Sequence, residues 1–211
     1  MPTRTISLAI LLLLAACAAP QQETGPAEPP PRAERPTYAL GEKWLLDLGA
    51  YELIRIEDDC YIFSAGEGKE FHLTKDLAIA RFQSGDYFVE FIPPPNISWP
   101  LEVGKHGVVT GRVTGSENAS GEFAPFLWVV DAYEEVRVPA GAFKAFRIGH
   151  RIRPGSGMYQ ATFTIWYAPE VRRLIKIGNV NVISYIQRMH ELRFTSQLIA
   201  VDRPATTPPS R

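Results

Sequence analysis

Period-two alternation of apolar and polar residues is the strongest pattern in the chain. Across 159–167, Tyr159, Ala161, Phe163, Ile165 and Tyr167 fall on one side, with Gln160, Thr162, Thr164 and Trp166 on the other. Across 144–153, Phe146, Ile148 and Ile152 share a side with His150, while Arg147, Arg151 and Arg153 point away. Near the C-terminus, Leu192, Phe194 and Leu198 oppose Glu191, Arg193, Thr195 and Gln197. Successive side chains of a strand point to opposite faces, so these runs predict antiparallel sheet with one face on a core. Turn formers separate them: Asp58-Asp59, Gly66-Glu67-Gly68, Ser84-Gly85-Asp86, Pro139-Ala140-Gly141 and Pro154-Gly155-Ser156-Gly157. Capped amphipathic helix patterns are few. The expected fold is mainly β, an antiparallel sandwich or a strongly curved sheet or half-barrel. The segment 93–100, PPPNISWP, holds too many prolines for a central strand and reads as a rigid crossing within one fold.

The two ends of the chain do not share this pattern. After Arg4, residues 6–16 are apolar or small except Ser7, a run too short to span a bilayer and suited to a secretory signal. It ends in Leu14-Ala15-Ala16-Cys17, which resembles the lipobox of bacterial lipoprotein precursors. The resemblance implies cleavage before Cys17, acylation of Cys17 and a membrane anchor without a spanning helix. One acyl chain gives marginal membrane binding and several give firm attachment. Ala18 and Ala19 after the cysteine favour, by similarity to enterobacterial sorting, an outer-membrane anchor facing the periplasm, surface exposure remaining open. Residues 18–36 contain six prolines and no aromatic residue, so they suit an extended tether of up to about 60 Å. The expected organisation is a signal peptide (1–16), a lipidated cysteine with its tether (17–36), a single β domain (37–202) and a Pro-rich disordered tail (203–211).

Composition narrows the function classes. Apolar residues make up 45% of the 211, enough to bury a core. Lys and Arg number 22 against 23 Asp and Glu, leaving no basic excess for a phosphate backbone, so nucleic acid is not an expected partner.

Four segments, FHLTKDLAIARF (71–82), PPPNISWPLEVGK (93–105), VRVPAGAFKAFRI (136–148) and TIWYAPEVRRLIK (164–176), together resemble the TapB-like domain of unknown function found in bacterial envelope proteins. The resemblance covers most of 38–198 and implies a mostly antiparallel β domain with no established activity. The chain departs from that pattern at Gly107, where an aromatic is expected, and at Arg172, where a glycine is expected.

Motifs that carry chemistry are scarce. His72, His106, His150 and His190 lie on separate strand-like segments without metal-ligand spacing. Ser156 lacks a nucleophile-elbow context and reads as a turn residue. Glu134 and Glu135 are adjacent, so on a strand they face opposite ways; Glu57 and Asp59 border a turn. Cys60, the one cysteine left once Cys17 is acylated, sits in the apolar run Cys60-Tyr61-Ile62-Phe63 and reads as a buried thiol. No catalytic, cofactor or metal residues are expected, and no cofactor. Trp166, on the polar side of its strand, reads as an exposed contact whose removal leaves stability nearly unchanged. The leading expectation is a non-enzymatic envelope module that contacts a protein or glycan through its surface. The second is a carrier of lipid or another apolar ligand, by analogy with Lol-type carriers; a cavity lined by strand faces would favour it. An envelope hydrolase is third.

Overall fold

The computed structural model describes residues 30–47, 49–116, 118–153, 159–184 and 196–200. Its strands are β1 (Arg32–Ala33), β2 (Lys43–Leu46), β3 (Gly49–Glu57), β4 (Cys60–Ser64), β5 (Lys69–Thr74), β6 (Ile79–Ser84) and β7 (Tyr87–Ile92). They continue with β8 (Leu101–Glu102), β9 (His106–Gly115), β10 (Asn118–Val138), β11 (Gly141–Ile152), β12 (Tyr159–Ala168), β13 (Arg173–Ser184) and β14 (Ser196–Ala200). Twelve of these, β2 to β7 and β9 to β14, pair with their chain neighbours in antiparallel register, and β14 returns to β2. The mainly β, antiparallel architecture is as the alternation predicts. The sheet curves further than a half-barrel and closes.

The alternation maps onto inside and outside. Phe146 pairs with Tyr167, Ile148 with Ile165 and His150 with Phe163, all on the inner face, while Arg147 and Arg151 turn outward. Outside, charges pair across strands, as in Arg55 with Glu70 at 3.1 Å and Lys43 with Glu52 at 3.3 Å. An apolar inside and a charged outside invert the polarity of an outer-membrane barrel. Strands of four to six residues, as in β2 and β4 to β7, also fall short of the ~9–11 needed to cross a bilayer.

Eight strands give a barrel that side chains just fill, and the diameter grows with strand number. A twelve-strand barrel therefore needs extra material inside. At one end, two segments outside the wall supply it. Tyr38 stands 5.2 Å from the Trp44 ring and 5.1 Å from Tyr61, and its hydroxyl donates to the Arg172 carbonyl. From the proline-rich crossing, Ile97 and Leu101 join the same core and Trp99 packs edge-on to Tyr167 at 5.1 Å. The short β1–β8 ladder, Ala33 opposite Leu101, ties the two segments together. β1 thus lies within the stretch expected to be tether. Burial pushes the Tyr38 phenol upward and the Tyr167 phenol to about 12.

The β10–β11 hairpin forms a second layer. Its register shifts between Val130 and Ala132, and beyond that bulge its tip curls across the outer surface of β12 and β13. Val136, Val138 and Phe143 pack there on Trp166, Ile175 and Leu198, and the Ala140 amide donates to the Leu198 carbonyl at 3.1 Å. A sandwich therefore exists locally, built outside the barrel.

Gly107 and Arg172, two positions singled out in the sequence, have local reasons for their identity. A Cβ on Gly107 would stand 2.7 Å from the Trp128 ring, so the indole occupies the room of a side chain at 107. Arg172 adopts a left-handed φ of 54°, the conformation a glycine takes at no cost. Its guanidinium donates to the Thr37 carbonyl at 3.1 Å, which holds it against the Tyr38 segment, one of the two segments that together plug this end of the barrel.

Candidate functional site

Away from the plug the inward wall side chains do not meet, and Leu77, Ala78 and Pro95 border the space between them. They leave an apolar cavity of about 290 Å³. Phe71, Phe91, Phe126, Trp128, His150 and Phe163 form much of its lining. Each sits at an inward position set by strand alternation, and hairpin register stacks them in layers: Phe126 with Ile152, Trp128 with His150, His150 with Phe163. Phe91 meets Phe126 at 5.6 Å, joining β7 to β10 across the β9 strand between them.

His150 is the inward titratable group of this wall whose protonation the site controls. Its ring stacks on Phe163 at 4.5 Å with planes 4° apart. Burial lowers its pKa from 6.5 to about 4, so it is neutral at pH 7. Among the described residues its Nδ1 has no hydrogen-bond partner, nor has Trp44 Nε1, another wall atom. Tyr51, near the far end of the wall, has its phenol raised by burial and then by Asp47. A cavity with aromatic walls and a neutral imidazole suits uncharged, apolar matter.

The residues singled out by sequence do not converge here, apart from His150. Trp166 is 7% exposed, which corrects the expectation of an exposed side chain. The alternation placed it correctly on the outer face, but the hairpin tip covers that face. Its Nε1 donates to Glu134 at 2.9 Å, Arg147 reaches Glu134 at 3.3 Å and Asp131 at 2.7 Å, and the Lys176 ammonium lies 4.9 Å from its ring. Glu134 and Glu135 do face opposite ways, the latter toward Arg137. Glu57 pairs with Arg55, and Asp59 lies 3.7 Å from Lys75. Cys60 is half-buried and free, its thiol raised by burial and then by Asp59. His72 contacts Glu70 at 3.2 Å and His106 the Gly104 carbonyl at 3.1 Å, far from one another on the wall. Cys17, Ser156 and His190 lie outside the described residues.

A cavity lined by strand faces, the feature that favours a carrier, is thus present at this end of the barrel. Residues such as Phe71, Phe91 and Phe126 carried no distinctive signal beyond apolar alternation. Whether inward side chains meet depends on the strand number, which alternation does not encode.

Neither a protein-family model nor a curated protein matches the chain. A crystal structure of a candidate lipoprotein from Parabacteroides distasonis is similar over 78% of this chain and 96% of its own, with a TM-score of 0.42 and 10% identity.

Proposed function

We propose that this protein is a lipid-anchored envelope protein that binds an apolar ligand inside its barrel and acts as a carrier or receptor without chemistry of its own. The cavity carries the reading: it is continuous with strand faces and largely aromatic and apolar, with Arg151 and Lys176 as the charged residues of its lining. A cavity of about 150 Å³ accommodates benzene, so about 290 Å³ accommodates roughly a dozen carbon atoms. That matches an acyl or similar hydrocarbon chain, with any charged head left outside the apolar wall. The lipobox-like Leu14-Ala15-Ala16-Cys17 supports attachment through Cys17, with outer-membrane placement facing the periplasm. Surface recognition of a protein or glycan loses its named residue, since Trp166 is covered.

The test is extraction. Chain purified from its own cells and washed free of detergent should release a hydrocarbon-bearing compound in near-stoichiometric amount on solvent extraction. Ile152→Phe, which adds volume to the lining, should release several-fold less. Equal, trace amounts from both proteins would refute the reading.

A further inference from the structure

The outer surface of β7, β9, β10 and β11 carries an apolar face that the hairpin tip does not cover. By register Val108 lies opposite Leu127, Phe123 opposite Arg112, and Ile92 opposite Arg112 on the other side. Val108 is 60% exposed, Phe123 59% and Ile92 51%, with Leu127 and Val129 also exposed. Gly149, opposite Val129, brings no side chain to shield it. Elsewhere on the wall exposed apolar residues such as Leu45, Ile54 and Ile79 are 39–42% exposed and lie among ion pairs; here the most exposed apolar groups of the wall meet solvent side by side, which marks an interaction surface.

The acids bordering this face are already paired, Glu90 with Arg81 and Asp131 with Arg147, and the charges left without an opposite partner are arginines. Arg112 lies with its guanidinium carbon 4.7 Å from the Phe123 ring centroid. Arg151 stands opposite Leu127, and the Arg153 amide meets the Pro125 carbonyl at 3.5 Å. Every other described arginine, at 32, 35, 55, 81, 137, 147, 172 and 173, lies within 4.0 Å of a carboxylate. The described arginines without a carboxylate partner are therefore gathered on one apolar face. His106 lies there too, opposite Val129.

We propose that this face docks on an anionic lipid leaflet. Apolar side chains enter the boundary between headgroups and acyl chains, and arginines meet lipid phosphates. Arg112 over Phe123 suits that boundary, since one side is apolar and the other binds phosphate. A second copy is disfavoured as the occupant, because stacking the face on itself would oppose Arg112, Arg151 and Arg153 with their like. By register Phe123 and Arg153 lie beyond Phe126 on the side away from Val130, so part of the docking face flanks the hollow half. The inference stands on the outer face and does not require the cavity to hold a ligand.

The experiment uses the full chain carrying Cys17→Ser and Cys60→Ser, with a nitroxide on Val108→Cys or on Glu57→Cys of the remote β3 wall. Both proteins share the apolar N-terminal run, so only a face-specific effect separates them. On vesicles of phosphatidylcholine mixed with phosphatidylglycerol, oxygen accessibility at 108 should rise several-fold over aqueous-reagent accessibility, and the label at 57 should stay aqueous. Arg112→Glu with Arg151→Glu should weaken the effect at 108 at least about tenfold. Equal responses at 108 and 57, or no effect of charge reversal, would overturn the proposal. Immobilisation of the 108 label at high chain concentration without vesicles would overturn it in favour of an interface between copies.

Discussion

Val130, Phe146 and Tyr167 stand only a few residues along their strands from Phe126, Ile152 and Phe163, yet the first layer is solid and the second surrounds a void. The wall is the same twelve strands in both. The difference is what crosses it. Around Phe146 and Tyr167, the Tyr38 segment and the 93–101 crossing insert Tyr38, Ile97, Trp99 and Leu101. Around Phe163, Pro95 of the crossing borders the space without filling it, and the wall is too wide to close on itself. A barrel of this size is thus stable at the plugged end and receptive at the other, with both properties set by where two non-strand segments enter.

The largest expected effects fall in the solid half and its outer layer. Phe146→Ala should cost about 3–5 kcal/mol by denaturant unfolding, because the ring is fully buried and its neighbours cannot collapse into the gap. Trp166→Ala should cost a similar amount, losing the contacts under the hairpin tip and the bond to Glu134. A cost near zero for Trp166→Ala would mean that the hairpin tip does not lie on the wall.

A pH titration addresses the hollow half. His150 has a folded pKa of about 4 against 6.5 unfolded. Between these values the unfolded chain binds the extra proton, so stability is complete above about pH 6.5 and falls as pH drops toward 4. The loss amounts to at most about 3 kcal/mol. His150→Phe should flatten that slope while keeping the stack on Phe163. An unchanged slope would show that His150 is not enclosed by the wall.

How much of this was legible beforehand differs between the halves. Alternation assigned Phe146, Ile148, Phe163, Ile165 and Tyr167 to one face and Trp166 to the other, all correctly. The turn at Pro139-Ala140-Gly141 was also readable, with Gly141 at a φ of 139°. The outer layer was not, because burying Trp166 depends on a bulge after Val130 that bends a long hairpin, and bulges leave no fixed sequence mark. The cavity was not either, since it follows from strand number and plug position. Gly107 was noticed as a departure, and only the Trp128 ring explains it.

Two smaller effects sharpen the contrast. Gly107→Phe should destabilise by about 1–3 kcal/mol, since the new ring must displace the Trp128 indole from the cavity wall. Phe163→Ala should cost under about 2 kcal/mol, less than Phe146→Ala, because its ring already borders empty space. Equal costs at 146 and 163 would erase the distinction between the halves.

The most direct test of the hollow half is quenching of tryptophan emission by 12-bromododecanol. Trp44 and Trp128 line the cavity, whereas Trp166 lies under the hairpin tip and Trp99 in the plug. Saturable quenching of part of the emission, retained in Trp166→Phe and lost in Trp128→Phe with Trp44→Phe, is the predicted result. Absence of saturable quenching in the folded chain, or quenching that survives loss of both wall tryptophans, would contradict a cavity that takes a hydrocarbon chain.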